Sequence, residues 1–289
     1  LYPNFEKLFI IQPNQNTEYI EYTGNPKNYM LELYNYPPSL LGSGGTCPSH
    51  NLVCAFEKKD GSANDMQSDT RFENMDPRFD VTIVRDGSIL GARGAIDISD
   101  PNSQDAIGKV NLRSTVTGYY LRKFLDTNIN LSAQTITSTY HYFPVIRLAD
   151  IYLLYAEAMN EAYGPNDAAD LGWTALEALN KVRTRAGITV PYTTTSQTEM
   201  TKKIRNERRV ELAFEDQRYF DLRRWKTAEK DLNQPLMGFR IERQDNGVVS
   251  THEFVVDGQR KFNTKMYYSP IPYSEMQLNT NLVQNPGWR

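Results

Sequence analysis

Apolar residues in this chain of 289 follow no steady period before position 147 and a helical one after it. Up to residue 145 turn formers are dense, as in Pro13-Asn-Gln-Asn16, Gly24-Asn-Pro26, Pro37-Pro-Ser39 and the tract Gly42-Ser-Gly-Gly45. Two short alternating runs, Phe79–Val84 and Tyr119–Phe124, predict strands. From Arg147 the period changes. Leu148, Ile151, Tyr152, Tyr155, Ala158, Met159 and Ala162 recur at steps of three and four and predict a helix over 147–163, stopped by Gly164-Pro165. Leu171, Ala175, Leu176, Leu179, Val182 and Ala186 predict a second over 168–186, with Gly187 as its stop. Ser196 and Glu199 have capping-box spacing for a third over 198–226.

The first two helices read as an antiparallel hairpin of tetratricopeptide type. One such hairpin cannot close a core alone and should stack on others. The expected fold is therefore mostly α, with tetratricopeptide-like hairpins and a large loop-rich region. Its parts are a loop-rich segment over 1–145, a helical segment over 146–226, and an extended, proline-punctuated segment over 227–289. The last should wrap over the helices, with Trp288 as its anchor.

Composition removes several classes of function. The net charge is −3, so no global field favours nucleic acid or an anionic membrane. A mean hydropathy of −0.59 and the lack of a long apolar run leave no transmembrane helix. Two cysteines, Cys47 and Cys54, cannot form a disulfide framework; one local bridge or two free thiols both remain open. The segment Asp60–Asp65 has too few carboxylates for a cation loop and reads as a turn. The three histidines, His50, His141 and His252, lack metal-ligand spacing, and no cofactor or metal is expected.

The third helix carries the densest chemistry. Glu207, Glu211 and Glu215 recur every four residues among Arg205, Arg208, Arg209, Arg218, Arg223 and Arg224. A carboxylate row of this kind suits metal binding or acid–base work. With so many arginines at helical spacing it suits a structural ion-pair network better, each glutamate neutralised by an arginine of the same helix. The interleaved glutamates also cancel the field that nucleic-acid binding would need.

Several segments in order resemble the SusD/RagB family: Pro48–Phe56, Met75–Phe79, Arg147–Ala158, Asn180–Gly187, Asn206–Trp225, and Tyr268–Glu275 with Gln284–Trp288. Cys54 stands where an acidic residue is expected. The resemblance implies a non-enzymatic surface lipoprotein of a Gram-negative outer membrane, anchored through an N-terminal lipidated cysteine that is not in this chain. It implies an oligosaccharide or polysaccharide as cargo, peptide in some members, and a SusC-type TonB-dependent transporter as partner. It also implies that this chain is the C-terminal portion of a longer protein. The competing readings are a glycoside hydrolase on a helical scaffold, which needs two carboxyl groups in a cleft and one raised pKa, and a protein-interaction scaffold without a small ligand.

Ligand contacts are expected within residues 25–80, where turns present side chains. Tyr34 and Tyr36 lead, followed by Arg71, with Tyr29, His50 and Asn51 beside them. The tyrosines either stack on sugar faces or pack beneath their own loop. Trp173, Trp225 and Trp288 all fall at expected packing positions.

Overall fold

The computed structural model describes residues 1–108, 111–247 and 249–288. Strand β1 (Tyr19–Asn28) leads into α1 (Met30–Asn35) and the single turn α2 (His50–Val53). Helix α3 (Phe79–Thr82) runs directly into β2 (Ile83–Val84), and β3 (Tyr120–Leu121) follows. Strand β4 (Thr139–Arg147) hands over to α4 (Leu148–Tyr163), α5 (Ala175–Ala186), α6 (Gln197–Glu211), α7 (Gln217–Arg224) and α8 (Ala228–Asp231). Strands β5 (Leu236–Arg243) and β6 (Val249–Asp257) and helix α9 (Tyr273–Leu278) complete the order. Helix outweighs strand two to one, at 31% against 15%. The strands form three separate antiparallel pairs: β1–β4, β2–β3 and β5–β6.

Helix α4 matches its predicted span to within a residue, and its Ala149, Leu153, Ala156 and Met159 bury against Ala175, Ala178, Leu179 and Val182 of α5 and Met200 and Ile204 of α6. The small residues on α4 and α5 let the two axes approach closely. Helix α5 starts seven residues later than predicted. Thr174 caps it, with Glu177 returning the bond to the Thr174 backbone, and Leu171 is an exposed loop residue.

The third predicted helix is two helices. After α6 the chain turns through Phe214 (φ 64°) and Asp216 (φ 60°), both left-handed, before α7 begins. That break frees Glu215 from the helix period. The predicted strand 79–84 is mostly a helical turn, with only Ile83 and Val84 paired, and 119–124 pairs only at Tyr120 and Leu121.

Between the apolar clusters lies a buried ionic network. Arg147, where β4 meets α4, donates to Glu18 (2.5 Å), Glu211 (2.7 Å) and Glu215 (2.6 Å). Arg78 donates to Asp76 (2.6 Å), Glu207 (2.5 Å) and Glu211 (2.7 Å). Arg185 reaches Glu18 (2.8 Å) and Glu211, Arg183 reaches Glu207 (3.0 Å), and Lys123 reaches Glu215 (2.6 Å). All ten side chains are almost wholly buried, and Arg78, Lys123, Arg147, Arg183 and Arg185 balance Glu18, Asp76, Glu207, Glu211 and Glu215. The glutamates are thus neutralised, but not by arginines of their own helix: every partner comes from another segment.

The C-terminal segment departs from expectation too. It forms the β5–β6 hairpin, and Phe262 packs on Leu222 and Ala228. Trp288 folds back on its own segment, donating to the carbonyls of Lys265 (3.0 Å) and Tyr268 (2.9 Å). Trp173 lies in the loop before α5 and packs on α4, stacked on Tyr152 at 5.2 Å, while remaining 38% exposed.

Two outcomes follow from the ionic network. Glu211→Ala leaves Arg78, Arg147 and Arg185 short of a partner in a dry site and should cost about 3–5 kcal/mol, lowering Tm by on the order of ten degrees; an unchanged melt means the network is solvated. Burial alone would raise the pKa of Glu211, but Arg185, Arg147 and Arg78 overcome it and hold the carboxyl well below its ordinary range. Glu215 is held low in the same way against burial, by Arg147 and Lys123. Below about pH 4.3 the unfolded chain therefore binds protons that the folded chain does not, so stability is full at neutral pH and falls as pH drops through that value. Chemical-denaturation midpoints measured from pH 7 to 3 should show that decline, and a flat profile contradicts it.

Candidate functional site

The glycine tract shapes the first candidate region. Its backbone runs back along α1, with Ser43 N–H donating to Leu33 O (3.0 Å), Gly44 to Tyr36 O (3.0 Å) and Gly45 to Tyr34 O (2.8 Å). A Cβ on Gly42 would sit 2.0 Å from the Tyr36 carbonyl oxygen, and one on Gly45 would sit 2.4 Å from Tyr34 ring carbons. Glycine is required for that approach. It lays the Tyr34 ring against Gly45 and leaves the side chain 57% exposed. Met30 and Leu33, also exposed, share that face of α1 at steps of four and one.

Tyr36 is a correction. Its side chain is 0% exposed and lies under the Arg93 guanidinium (4.8 Å), and its hydroxyl donates to the carbonyls of Asp126 (2.8 Å) and Ile129 (3.2 Å). It packs beneath its own loop and has no free face for a sugar. Tyr29 is half-buried against the same cluster. Arg71 is also occupied: Nε donates to Met66 O (3.0 Å), and the guanidinium lies 5.8 Å from the Phe239 ring centre. Of the expected residues, Tyr34 alone offers an open aromatic face.

His50 and Asn51 belong to a different place. Asn51 clamps the start of β5, accepting from Met237 N–H (2.8 Å) and donating to Pro235 O (3.2 Å). The buried His50 ring stacks on Phe239 (4.7 Å), with Nδ1 2.9 Å from the Tyr119 hydroxyl. Burial pushes its pKa down against the opposing pull of Glu253. Both residues line a cavity of about 500 Å³ walled by Cys54, Arg209, Arg218, Asp231 and Glu253. Arg209 and Arg218 went unassigned to any site in the sequence. The signal was there: six arginines face three glutamates and two aspartates between Ile204 and Trp225, so some arginines must look for partners elsewhere.

Both cysteines are free, and Cys54 is exposed. Asp60 closes an ordinary turn by accepting from Ser62 N–H and Oγ. Among the described residues no cluster of three His, Cys, Asp or Glu could hold a metal ion, and no helix is long and apolar enough to cross a membrane. Among the described residues the carboxyl that burial raises is Asp105, which accepts from Ser39 N–H and is 1% exposed. An acid so enclosed cannot protonate a leaving group in a cleft, and the hydrolase reading gains nothing from it.

The fold and site together define a helical-hairpin protein with an exposed aromatic ring on the short helix α1. The SusD family model matches residues 6–288, and the chain belongs to that family. Two SusD-like proteins of Formosa agariphila are 33% and 31% identical over 159 residues, covering 50% and 52% of this chain but 24% and 26% of theirs. A solved SusD-like protein of Bacteroides fragilis superposes with a TM-score of 0.78 at 27% identity, over 98% of this chain and 57% of that one. A SusD-like carbohydrate binding protein of the same species gives 0.77 at 25% identity, over 98% and 58%. The chain thus spans little more than half the length of those solved chains.

Tyr36→Phe tests the correction. Losing the hydroxyl leaves two carbonyls without their donor and should lower stability by about 1–3 kcal/mol, read as a shift in the urea midpoint; an unaltered midpoint would mean the ring is not locked.

Proposed function

We propose that this chain is the ligand-facing part of a surface glycan-binding lipoprotein, which captures oligosaccharides and passes them to a SusC-type TonB-dependent transporter at the outer membrane. The observation that carries the reading is Tyr34. Its ring is held open by a glycine tract that leaves no room for any side chain at position 45, and an aromatic face of this kind stacks on the C–H surface of a pyranose. The likeness to a carbohydrate-binding SusD-like protein supports it. Attachment to the membrane, in this reading, is by a lipidated cysteine.

Binding of this type needs no activated carboxylate. Affinity comes from stacking and orientation from polar neighbours. Tyr34→Ala should weaken binding of a recognised oligosaccharide by about 1 kcal/mol or more, roughly fivefold in Kd, with Tm unchanged because the ring is exposed. Isothermal titration against a panel of defined oligosaccharides decides it: parent-like affinity in the variant moves the site elsewhere, and sugar release on prolonged incubation would favour a hydrolase.

A further inference from the structure

The cavity beside α6 and α7 holds more positive charge than its walls neutralise. Three arginines line it, Arg209, Arg218 and Arg260, against two carboxylates, Asp231 and Glu253. Arg209 donates to Asn51 O (2.6 Å) and Arg260 to Gln234 O (2.6 Å). Arg218 donates to no acceptor among the described residues. Its nearest acid, Asp231, lies 4.0 Å away, and its guanidinium leans on the Trp225 ring at 5.9 Å. Burial first, then the like charge of Arg209, pushes Arg218 down to about 10 against the pull of Asp231 and Asp221, and the side chain is 36% exposed.

A second, independent group points into the same space. His50 Nε2 is buried without a hydrogen-bond partner, its closest polar neighbour being Glu253 Oε1 at 3.6 Å. An unpaired buried ring nitrogen is costly unless something occupies the cavity. The remaining wall is apolar, from Leu52, Leu222, Leu232 and Met237, and about 500 Å³ lies in the range of small-molecule sites.

We propose that this cavity takes the carboxylate of an acidic sugar, held by the forked guanidinium of Arg218 with Arg209 behind it, while His50 Nε2 meets a neighbouring ring hydroxyl. One negative charge matches the surplus, and a planar carboxylate matches the guanidinium fork. This deepens the glycan-binding reading and rests on it, by adding a class of sugar at a site separate from Tyr34.

The test titrates the full chain with tri-galacturonate, a neutral galactose trisaccharide and sodium sulfate. Tri-galacturonate should bind at least tenfold more tightly than the neutral sugar. Arg218→Gln should erase that preference with Tm unchanged, and Arg218→Lys, which keeps the charge but not the fork, should retain part of it and covers the case in which the glutamine variant does not fold. Equal affinity for acidic and neutral sugars, or an Arg218→Gln chain that still prefers the acid, overturns the proposal while leaving glycan capture standing. Binding of sulfate without the trisaccharide is an adventitious ion only and also overturns it. Failure of every saccharide to bind overturns both readings together.

Discussion

Glu211 is the side chain on which the rest of this structure turns. Its two oxygens receive Arg78, Arg147 and Arg185, which stand on the loop before α3, the β4–α4 junction and the last turn of α5. Helix packing already joins α4 and α5 to α6, and the ion pairs add the loop before α3 and the β4–α4 junction to the same point. Arginine does so because one guanidinium can donate in several directions at once: Arg147 alone engages Glu18, Glu211 and Glu215. A dry network costs much in desolvation and returns it only if every member is paired. Each of the five cations and five carboxylates has a partner of opposite charge, and the network continues from Arg183 to Glu57 and Lys203, so ion pairs join the loop-rich half of the chain to the helical half.

The same requirement explains the break after α6. Were the helix continuous, Glu215 would lie on the same face as Glu211, one turn further on. With Phe214 and Asp216 in left-handed conformations, Glu215 instead accepts from Arg147 and Lys123 together. Lys123, buried among the Phe5, Phe9 and Phe124 rings, would be untenable without it. The strain of two non-glycine residues at positive φ, about 1–3 kcal/mol each, is set against a buried lysine left unpaired. The second penalty is the larger one.

These facts mark where sequence reasoning worked. Helix α4 was legible because its apolar steps are local and a Gly-Pro pair ends it. The start of α5 was misplaced by weight given to Leu171, although Thr174 and Glu177 carried the capping signal. The β5–β6 hairpin went unread despite Asn246-Gly247, a common turn signal between two strands. The kink could not be read, since neither glycine nor proline announces it and its cause is Arg147, 68 residues away. The family resemblance was legible in motifs that turn out to be network members: Arg78, Arg147, Arg183, Glu207 and Glu211 all lie within them.

The candidate site was the less legible part for a related reason. Tyr34 and Tyr36 are two residues apart in the same turn-rich context, yet one is open and the other sealed. What separates them is Arg93 together with the Asp126 and Ile129 carbonyls, 57 to 93 positions further along, which close over one ring only. Exposure of either ring is therefore a property of distant chain, and no local pattern reports it. Charge surplus is different, because it can be counted. In the arginine-rich stretch whose glutamates are claimed by other segments, Arg208 and Arg224 find other carboxylates, while Arg205 and Arg218 make no hydrogen bond among the described residues.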